Sequence, residues 1–368
     1  MTTDISRQTC RINGQAVGAD DLSRLPELLQ PTGEDGRFLA ELAAFLHEWF
    51  SPTTTVTVHT SGSTGLPKEL QVEKQRMMNS ARQTLEFLSL HEGQTALLCM
   101  PLRYIAGKMV VVRALTGGLD LLPVTPCGHP LAGLDTAPDF AALIPMQVYN
   151  SLQASREADL LRQTKHLIIG GGAIDADLGH ALADFPNAVW STYGMTETLS
   201  HIALRRLNGS SASDWYTPLS GVDLSLSDEG TLVINAPAVC KEPLVTNDLA
   251  LLNRQGQFRI LGRRDNTINT GGIKVQIEEV EAALRPLLAT RFLITSAPDP
   301  KFGERIVLLL ERQPATDGTT MAGALASLPP YWRPKQTIEV ERIPLTGTGK
   351  PDRAAARQMA QAASAARS

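Results

Sequence analysis

Between residues 53 and about 190 the sequence alternates two kinds of run, and this constrains the fold more than anything else in the chain. Short β-branched or apolar runs at 56–59, 96–100, 119–124, 166–169 and 188–191 read as strands. Between them, 73–90, 108–115 and 175–183 carry apolar residues at helical spacing. Strands that alternate with helices pack as a largely parallel sheet covered by helices, so the expected fold class is layered α/β. Ahead of this region, "GRFLAELAAFLHEWF" (36–50) predicts an amphipathic helix. Residues 215–262 change character: "TLVINAP", "LALLN" and "QFRILG" are divided by "DEG" and "NRQG", which predicts antiparallel strands or a small barrel. After Gly262, "VQIEEVEAALRPLL" predicts a helix, 291–296 and 305–311 predict strands, and the Ala-rich tail predicts a last helix. The 368 residues suffice for two domains with a sizeable core. We expect a large domain over 1–264, a small α+β domain over 265–368, and a boundary at Asp265.

Charge and cysteine usage narrow the class. A net charge of −4 argues against a general nucleic-acid or anionic-membrane binder, but leaves room for a local site for a small anion. "MTTDISRQTCRINGQ" lacks the apolar segment of a signal peptide, and no apolar run reaches membrane-spanning length. Cys10, Cys99, Cys127 and Cys240 form no C-x-x-C pair and hold no metal-ligand spacing with histidine. They read as reduced thiols in a cytoplasmic protein.

"TSGSTGLPK" (60–68) follows a β-branched run. Gly62 and Gly65 let the backbone bend close to a ligand, and bent backbone turns its N–H groups toward an anion. Thr60, Ser61, Ser63 and Thr64 add hydroxyl donors, and Lys68 adds a charge. The Walker A pattern fails, because Pro67 stands five positions after Gly62 and Glu69 follows Lys68. Alone, the loop reads either as a phosphate holder or as a Ser/Gly-rich surface turn.

Four further stretches follow in order. "IIGGGAI" (168–174) places Gly170, Gly171 and Gly172 after an apolar strand, where a flat ring can lie against backbone or the chain can simply turn. "STYGMTET" (191–198) offers the Tyr193 ring, Gly194, hydroxyls at Thr192 and Thr196, and the Glu197 carboxylate. "VTNDLALL", with Asp248, is followed by "GRRDNTINTGGIKVQIEEVE". "IPLTGTGKPDR" sets Lys350 in a Gly/Thr loop.

In this order and at this spacing, the five stretches resemble the adenylate-forming superfamily of acyl-CoA synthetases, peptide-synthetase adenylation domains and firefly luciferase, from about residue 55 to the end. The resemblance implies that a carboxylic acid and ATP give an acyl-adenylate and pyrophosphate, after which a thiol takes the acyl group. It implies that residues 60–68 hold the ATP phosphates and that Glu197 holds Mg2+, a hard cation suited to oxygen ligands. It places Thr196 on the α-phosphate, Tyr193 on adenine opposite Gly170–Gly172, Asp248 on the ribose hydroxyls and Arg263 beside the same sugar. Lys350 would bridge the attacking carboxylate and the α-phosphate, acting by position and charge. Asp265 would be a hinge about which the small domain rotates, bringing the face with Gly271, Gly272 and Lys274 into the thiol half-reaction.

The sequence departs from the family in three places. Only 59 residues precede Thr60, where relatives carry a longer subdomain. This fits either a trimmed sheet or a surface covered in a homo-oligomer. Tyr104 stands where many relatives have histidine or another aromatic residue, and Ile277 replaces a common proline. Within the family, "PLRYIAGKM" and "GMTETLSHIAL" resemble o-succinylbenzoate–CoA ligases of menaquinone biosynthesis. That acid has two carboxylates, and one must be recognised rather than activated. Leaving it buried and unpaired would be costly, so Arg103, Lys108 and His201 are candidate partners, with Tyr104 beside them. The expected ligands are therefore ATP, Mg2+, coenzyme A and a small carboxylic acid, with no nucleic acid and no membrane insertion. Other readings stand beside an o-succinylbenzoate–CoA ligase: another aryl- or acyl-CoA ligase, an adenylation enzyme that loads a carrier protein, and a nucleotide-binding protein without turnover.

Overall fold

The computed structural model describes residues 4–29, 36–59, 69–172, 174–288, 290–312, 321–346 and 351–365. Thr60, Ser61, Gly62, Ser63, Thr64, Gly65 and Lys68 of the expected phosphate loop, and Lys350, lie outside the described residues.

The chain opens with a hairpin of β1 (Thr9–Ile12) and β2 (Gln15–Gly18), turned at Asn13 and Gly14 with φ of 49° and 80°. Two positive φ values in a two-residue turn match the twist of paired strands, which is why Asn-Gly serves there. A short α1 (Leu25–Leu29) precedes α2 (Gly36–Phe50), whose apolar stripe buries Phe38, Leu42, Phe45, Leu46 and Trp49. Next, β3 (Thr55–His59) and β4 (Glu69–Glu73) pair antiparallel as a separate two-stranded ribbon. The run at 56–59 therefore does not join the parallel sheet, because its nearest partner is the strand on the other side of the intervening loop.

The central sheet is assembled by α3 (Lys74–Leu88), β5 (Thr95–Leu98), α4 (Ile105–Gly117), β6 (Asp120–Pro123), β7 (Phe140–Leu143), α5 (Pro145–Gln153), α6 (Ser155–Gln163), β8 (His166–Ile169), α7 (Ala176–Leu182), β9 (Ala188–Gly194), β10 (His201–Arg206) and β11 (Thr217–Pro218). Its order is β11-β10-β9-β8-β7-β5-β6-β1-β2. The six strands from β9 to β1 run parallel, and antiparallel strands close both edges. Successive residues of the inner strands face opposite core clusters: Leu97 and Ala141 face one, Ala96 and Phe140 the other. Strands buried on both faces read as continuous apolar runs, as in "TALL" and "HLII".

A four-stranded antiparallel sheet, β12 (Asp223–Leu226), β13 (Thr231–Asn235), β14 (Leu244–Leu252) and β15 (Phe258–Arg263), packs on the same core as α2, α3 and α4. The remaining elements are β16 (Thr267–Thr270), β17 (Ile273–Gln276), α8 (Ile277–Leu284), β18 (Phe292–Asp299), β19 (Gly303–Glu311), α9 (Met321–Ser327), β20 (Gln336–Val340) and α10 (Arg353–Ala365). They form a five-stranded sheet with its own apolar clusters, which run from Ile268 to Ala360. The buried members of the clusters before it end at Phe258, with Ile260 packed against them. The helix expected at 275–288 is shorter, because Val275 and Gln276 belong to β17.

Candidate active site

The site lies where the parallel strands end and β14 and β15 come across. Tyr193 is near the end of β9, and Asp248 and Arg263 are register partners on β14 and β15. The Tyr193 hydroxyl donates to Asp248 Oδ2 at 2.6 Å, and Arg263 Nη1 donates to Asp248 Oδ1 at 3.2 Å. Burial, reinforced by the Asp248 charge, raises the Tyr193 phenol well above its ordinary value, so it stays a donor. Its ring packs edge-on to Phe258 at 5.0 Å and lies 6.0 Å from Tyr216. Asp265 takes a fork of two bonds from Arg263 Nε and Nη2, both 2.9 Å. That pairing, helped by Asp248, raises the guanidinium pKa. Asp265 itself sits in the 3-10 turn Arg264–Asn266, whose Arg264 also pairs with Glu229 and donates to Asn247 at 2.9 Å.

The glycine run follows β8. A Cβ on Gly170 would stand 2.4 Å from Thr192 Oγ1, and Gly171 has φ of 80°. Neither position accepts an ordinary side chain. Gly171 and Gly172 present bare backbone to solvent.

Beyond Gly194 the chain makes a single turn, Thr196–Thr198. Glu197 is exposed, and its carboxylate has no hydrogen bond or ion pair among the described residues. One free carboxylate beside the Thr196 hydroxyl suits a hard divalent cation that takes its other ligands from phosphate and water. Among the described residues no group of three or more His, Cys, Asp or Glu surrounds a common point. Beneath the turn, Cys240 Sγ donates to the Glu197 carbonyl at 3.3 Å. Leu199 follows with φ of 65° and ψ of −38°, although it is a buried leucine. Such a backbone costs about 1–3 kcal/mol and marks a residue held by its surroundings.

The residues expected to meet the acid separate. Arg103 is exposed and stacks its guanidinium 4.7 Å over the Tyr104 ring, while its carbonyl accepts from the His59 N–H at 3.3 Å. Lys108 is buried against α2, 3.1 Å from Glu48 Oε2 and 4.4 Å above the Phe45 ring. Glu48 also accepts from the Thr57 N–H at 2.7 Å. His201 is buried and pairs with Thr84 Oγ1 at 3.0 Å. Burial, and then the nearby Arg113 charge, push its pKa well below the ordinary value, so the ring is neutral. Thr84 Oγ1 already donates to the Ser80 carbonyl, which makes His201 Nε2 the protonated nitrogen.

Arg113 was not among the expected residues. It lies on α4 with 2% of its surface exposed, and no carboxylate pairs with it among the described residues. Its Nη2 donates to Ser200 Oγ at 2.5 Å, and its Nε has no partner among the described residues. Burial lowers its pKa to about 10. The signal was present in "MVVVRAL", a single cation in an apolar run. In the last sheet, Gly271 and Gly272 form the β16–β17 turn with φ of 61° and 81°, Phe302 covers Gly271, and Lys274 is exposed on β17.

The pattern of the AMP-binding enzyme family matches residues 16–239, and the chain belongs to that family. It is 30% identical over 290 residues to the 2-succinylbenzoate–CoA ligase of Salmonella typhimurium. The match covers 73% of this chain and 60% of that protein, so the chain spans about 60% of that relative's length. The acyl-CoA synthetase (AMP-forming)/AMP-acid ligase II-like protein of Dyadobacter fermentans is 32% identical, with a TM-score of 0.61 over 89% of this chain and 96% of that one. The o-succinylbenzoate coenzyme A synthetase of Bacillus subtilis, in complex with ATP and magnesium ion, shares the fold at 17% identity, with a TM-score of 0.70 over 94% of this chain and 96% of that one.

Proposed function

We propose that this chain is an AMP-forming acid–CoA ligase that activates o-succinylbenzoate, as in menaquinone biosynthesis. The observation that carries the choice of acid is Arg113. A buried cation without an acidic partner is costly, and an incoming carboxylate relieves that cost. The Ser200 hydroxyl beside it adds a donor, and the neutral His201, whose one N–H is held by Thr84, adds no competing charge. An acid with two carboxylates uses both ends of such a site: one is held near Arg113 and the other reacts.

In the first step a carboxylate oxygen attacks the α-phosphorus of ATP and pyrophosphate leaves. In the second the sulfur of CoA attacks the acyl carbonyl, AMP leaves and the thiol proton is lost. Asp248 accepts from the ribose hydroxyls while Tyr193 and Arg263 fix its orientation. The Tyr193 ring and the bare backbone of Gly170–Gly172 bracket adenine. Thr196 donates to the α-phosphate and Glu197 holds magnesium, which when bound offsets phosphate charge. Lys68 with its loop, and Lys350, supply the cationic partners of the transferring group. Residues 265–368 would move as a unit at Asp265, bringing Gly271, Gly272 and Lys274 to the site for the second step. The break between apolar clusters after Ile260 supports that division. The reading places the protein in the cytoplasm, where ATP and CoA are at hand. No helix among the described residues is long and apolar enough to cross a membrane.

The test is pyrophosphate release with Mg-ATP and CoA across o-succinylbenzoate, benzoate, a medium-chain fatty acid and several amino acids, with products read by mass. Strong turnover and a CoA thioester with o-succinylbenzoate alone is the expected result. Exchange with an amino acid and no CoA thioester would replace the reading with carrier-protein loading. Silence across the panel with ATP still bound would leave a nucleotide-binding protein.

A further inference from the structure

The turn that carries Thr196 and Glu197 is not held by those two residues, since Glu197 points outward without a partner among the described residues. What fixes it lies underneath. Thr198 is fully buried, and its Oγ1 accepts from the Met195 N–H at 2.9 Å. The single hydroxyl proton is shared between the carbonyls of Met195, at 3.0 Å, and Ser200, at 2.7 Å. One oxygen therefore ties together both ends of the loop. Between them Leu199 is forced to φ of 65°, and the Ser200 N–H reaches back to the Thr198 carbonyl at 2.7 Å, closing a γ-turn. Gly194 makes room for this closure, because a Cβ there would stand 2.3 Å from the Ser200 carbonyl. A strained turn persists only where its surroundings over-determine it, and the Thr198 hydroxyl is the atom that does so here.

We propose that Thr198 is a positioning residue: its hydroxyl holds Thr196 and Glu197 in the conformation that receives magnesium and the α-phosphate. The inference rests on the reading of Thr196 and Glu197 given above. Thr198 touches neither ligand, and acts through the backbone of the turn.

The test uses the full chain as wild type, Thr198→Val, Thr198→Ser, Leu199→Gly and Glu197→Gln. The first readout is Mn2+ binding in the presence of ATP, followed by electron paramagnetic resonance, which needs no turnover. The second is the Mg2+ dependence of ATP–pyrophosphate exchange. Valine keeps the shape and removes the hydroxyl. It is expected to weaken Mn2+ binding about 10- to 100-fold, the usual effect of losing a group that orients a metal ligand. The Mg2+ requirement for exchange should rise in step, with the KM for the acid unchanged. Serine restores binding, and Leu199→Gly, which frees the turn but keeps the hydroxyl, falls between wild type and valine. Wild-type Mn2+ binding by Thr198→Val, or a serine variant as impaired as valine, overturns the proposal. If Thr198→Val does not fold, Thr198→Ala, which also removes the hydroxyl, takes its place, and wild-type binding by that variant overturns the proposal. Glu197→Gln separates the two layers. Indifference of Mn2+ binding to that change overturns the reading of Glu197 and the inference with it. A loss there without a loss at Thr198 overturns only the inference.

Discussion

At the scale of single residues, Asp248 joins Tyr193 and Arg263 in the part of the site that the proposed reading gives to the nucleotide. Asp248→Ala leaves the Tyr193 hydroxyl without its acceptor and Arg263 with Asp265 alone. A lost hydrogen bond to a charged group is worth about 1.5–3 kcal/mol, so the KM for ATP in pyrophosphate exchange should rise on the order of 10- to 100-fold. Tyr193→Phe, which keeps the ring, should cost less. Arg113 makes a sharper prediction. Arg113→Met removes a buried cation, so thermal stability should hold or rise. The KM for o-succinylbenzoate should rise on the order of 100-fold while benzoate, lacking the second carboxylate, is little affected. A fall in melting temperature with no change in the acid's KM would make Arg113 a packing residue. That Tyr193, Asp248 and Arg263 come together was legible, because each stands in one of the ordered motifs. Arg113 was not. A guanidinium on a helix reads as solvated until the helix is known to be buried on every side, and α4 is.

At the scale of elements, the close approach of α4 to the loop before it depends on Gly107. A Cβ there would lie 2.6 Å from the Pro101 carbonyl and 2.8 Å from that of Met100. Both are backbone atoms, so Gly107→Ala should destabilise the protein by about 1–3 kcal/mol, seen as a lower melting temperature in calorimetry. The starts of three parallel strands are fastened by Asp139. It accepts from the Thr95 N–H at 2.8 Å and pairs with Lys165 at 2.6 Å, just ahead of β8. Burial works to raise its pKa, but Lys165 and Thr95 outweigh burial and hold it below the ordinary 3.8. A depressed carboxylate stabilises the fold above its unfolded pKa, and that stability is lost as pH falls through the folded value. Urea midpoints measured from pH 7 downward should therefore drop below about pH 4 in the wild type. Asp139→Asn should start lower and fall less.

The alternation of strand and helix was legible because inner strands are buried on both faces. The first hairpin went unread although "NG" announces it, because its strands are only four residues each. Strand β7, "FAAL", is short and half alanine, which leaves little period to detect.

At the scale of the molecule, no apolar cluster among the described residues spans 259–267, so the last sheet is stabilised from within. Its polar clasp joins α8 to α10: Arg353 makes two bonds to Glu281, at 2.6 and 2.8 Å, and a third to the Ile294 carbonyl. Losing hydrogen bonds to a charged group in a part-buried pair costs about 1.5–3 kcal/mol. In Glu281→Gln, hydrogen exchange should therefore accelerate through β18 and α10, while β5, β7 and β8 exchange as in the wild type. Uniform acceleration would mean that the two regions unfold together. One contact ties the two ends of the candidate site more tightly than this division suggests. Ser200 Oγ receives Arg113, and its own backbone closes the turn at Leu199. If Arg113 holds the acid as proposed, a lineage that exchanges it to accept a different acid would also remove a restraint on the loop that carries Glu197. On the proposed reading, substitutions at Arg113 and Ser200 should therefore not be additive, and a change of acid would cost some handling of ATP until the turn is compensated.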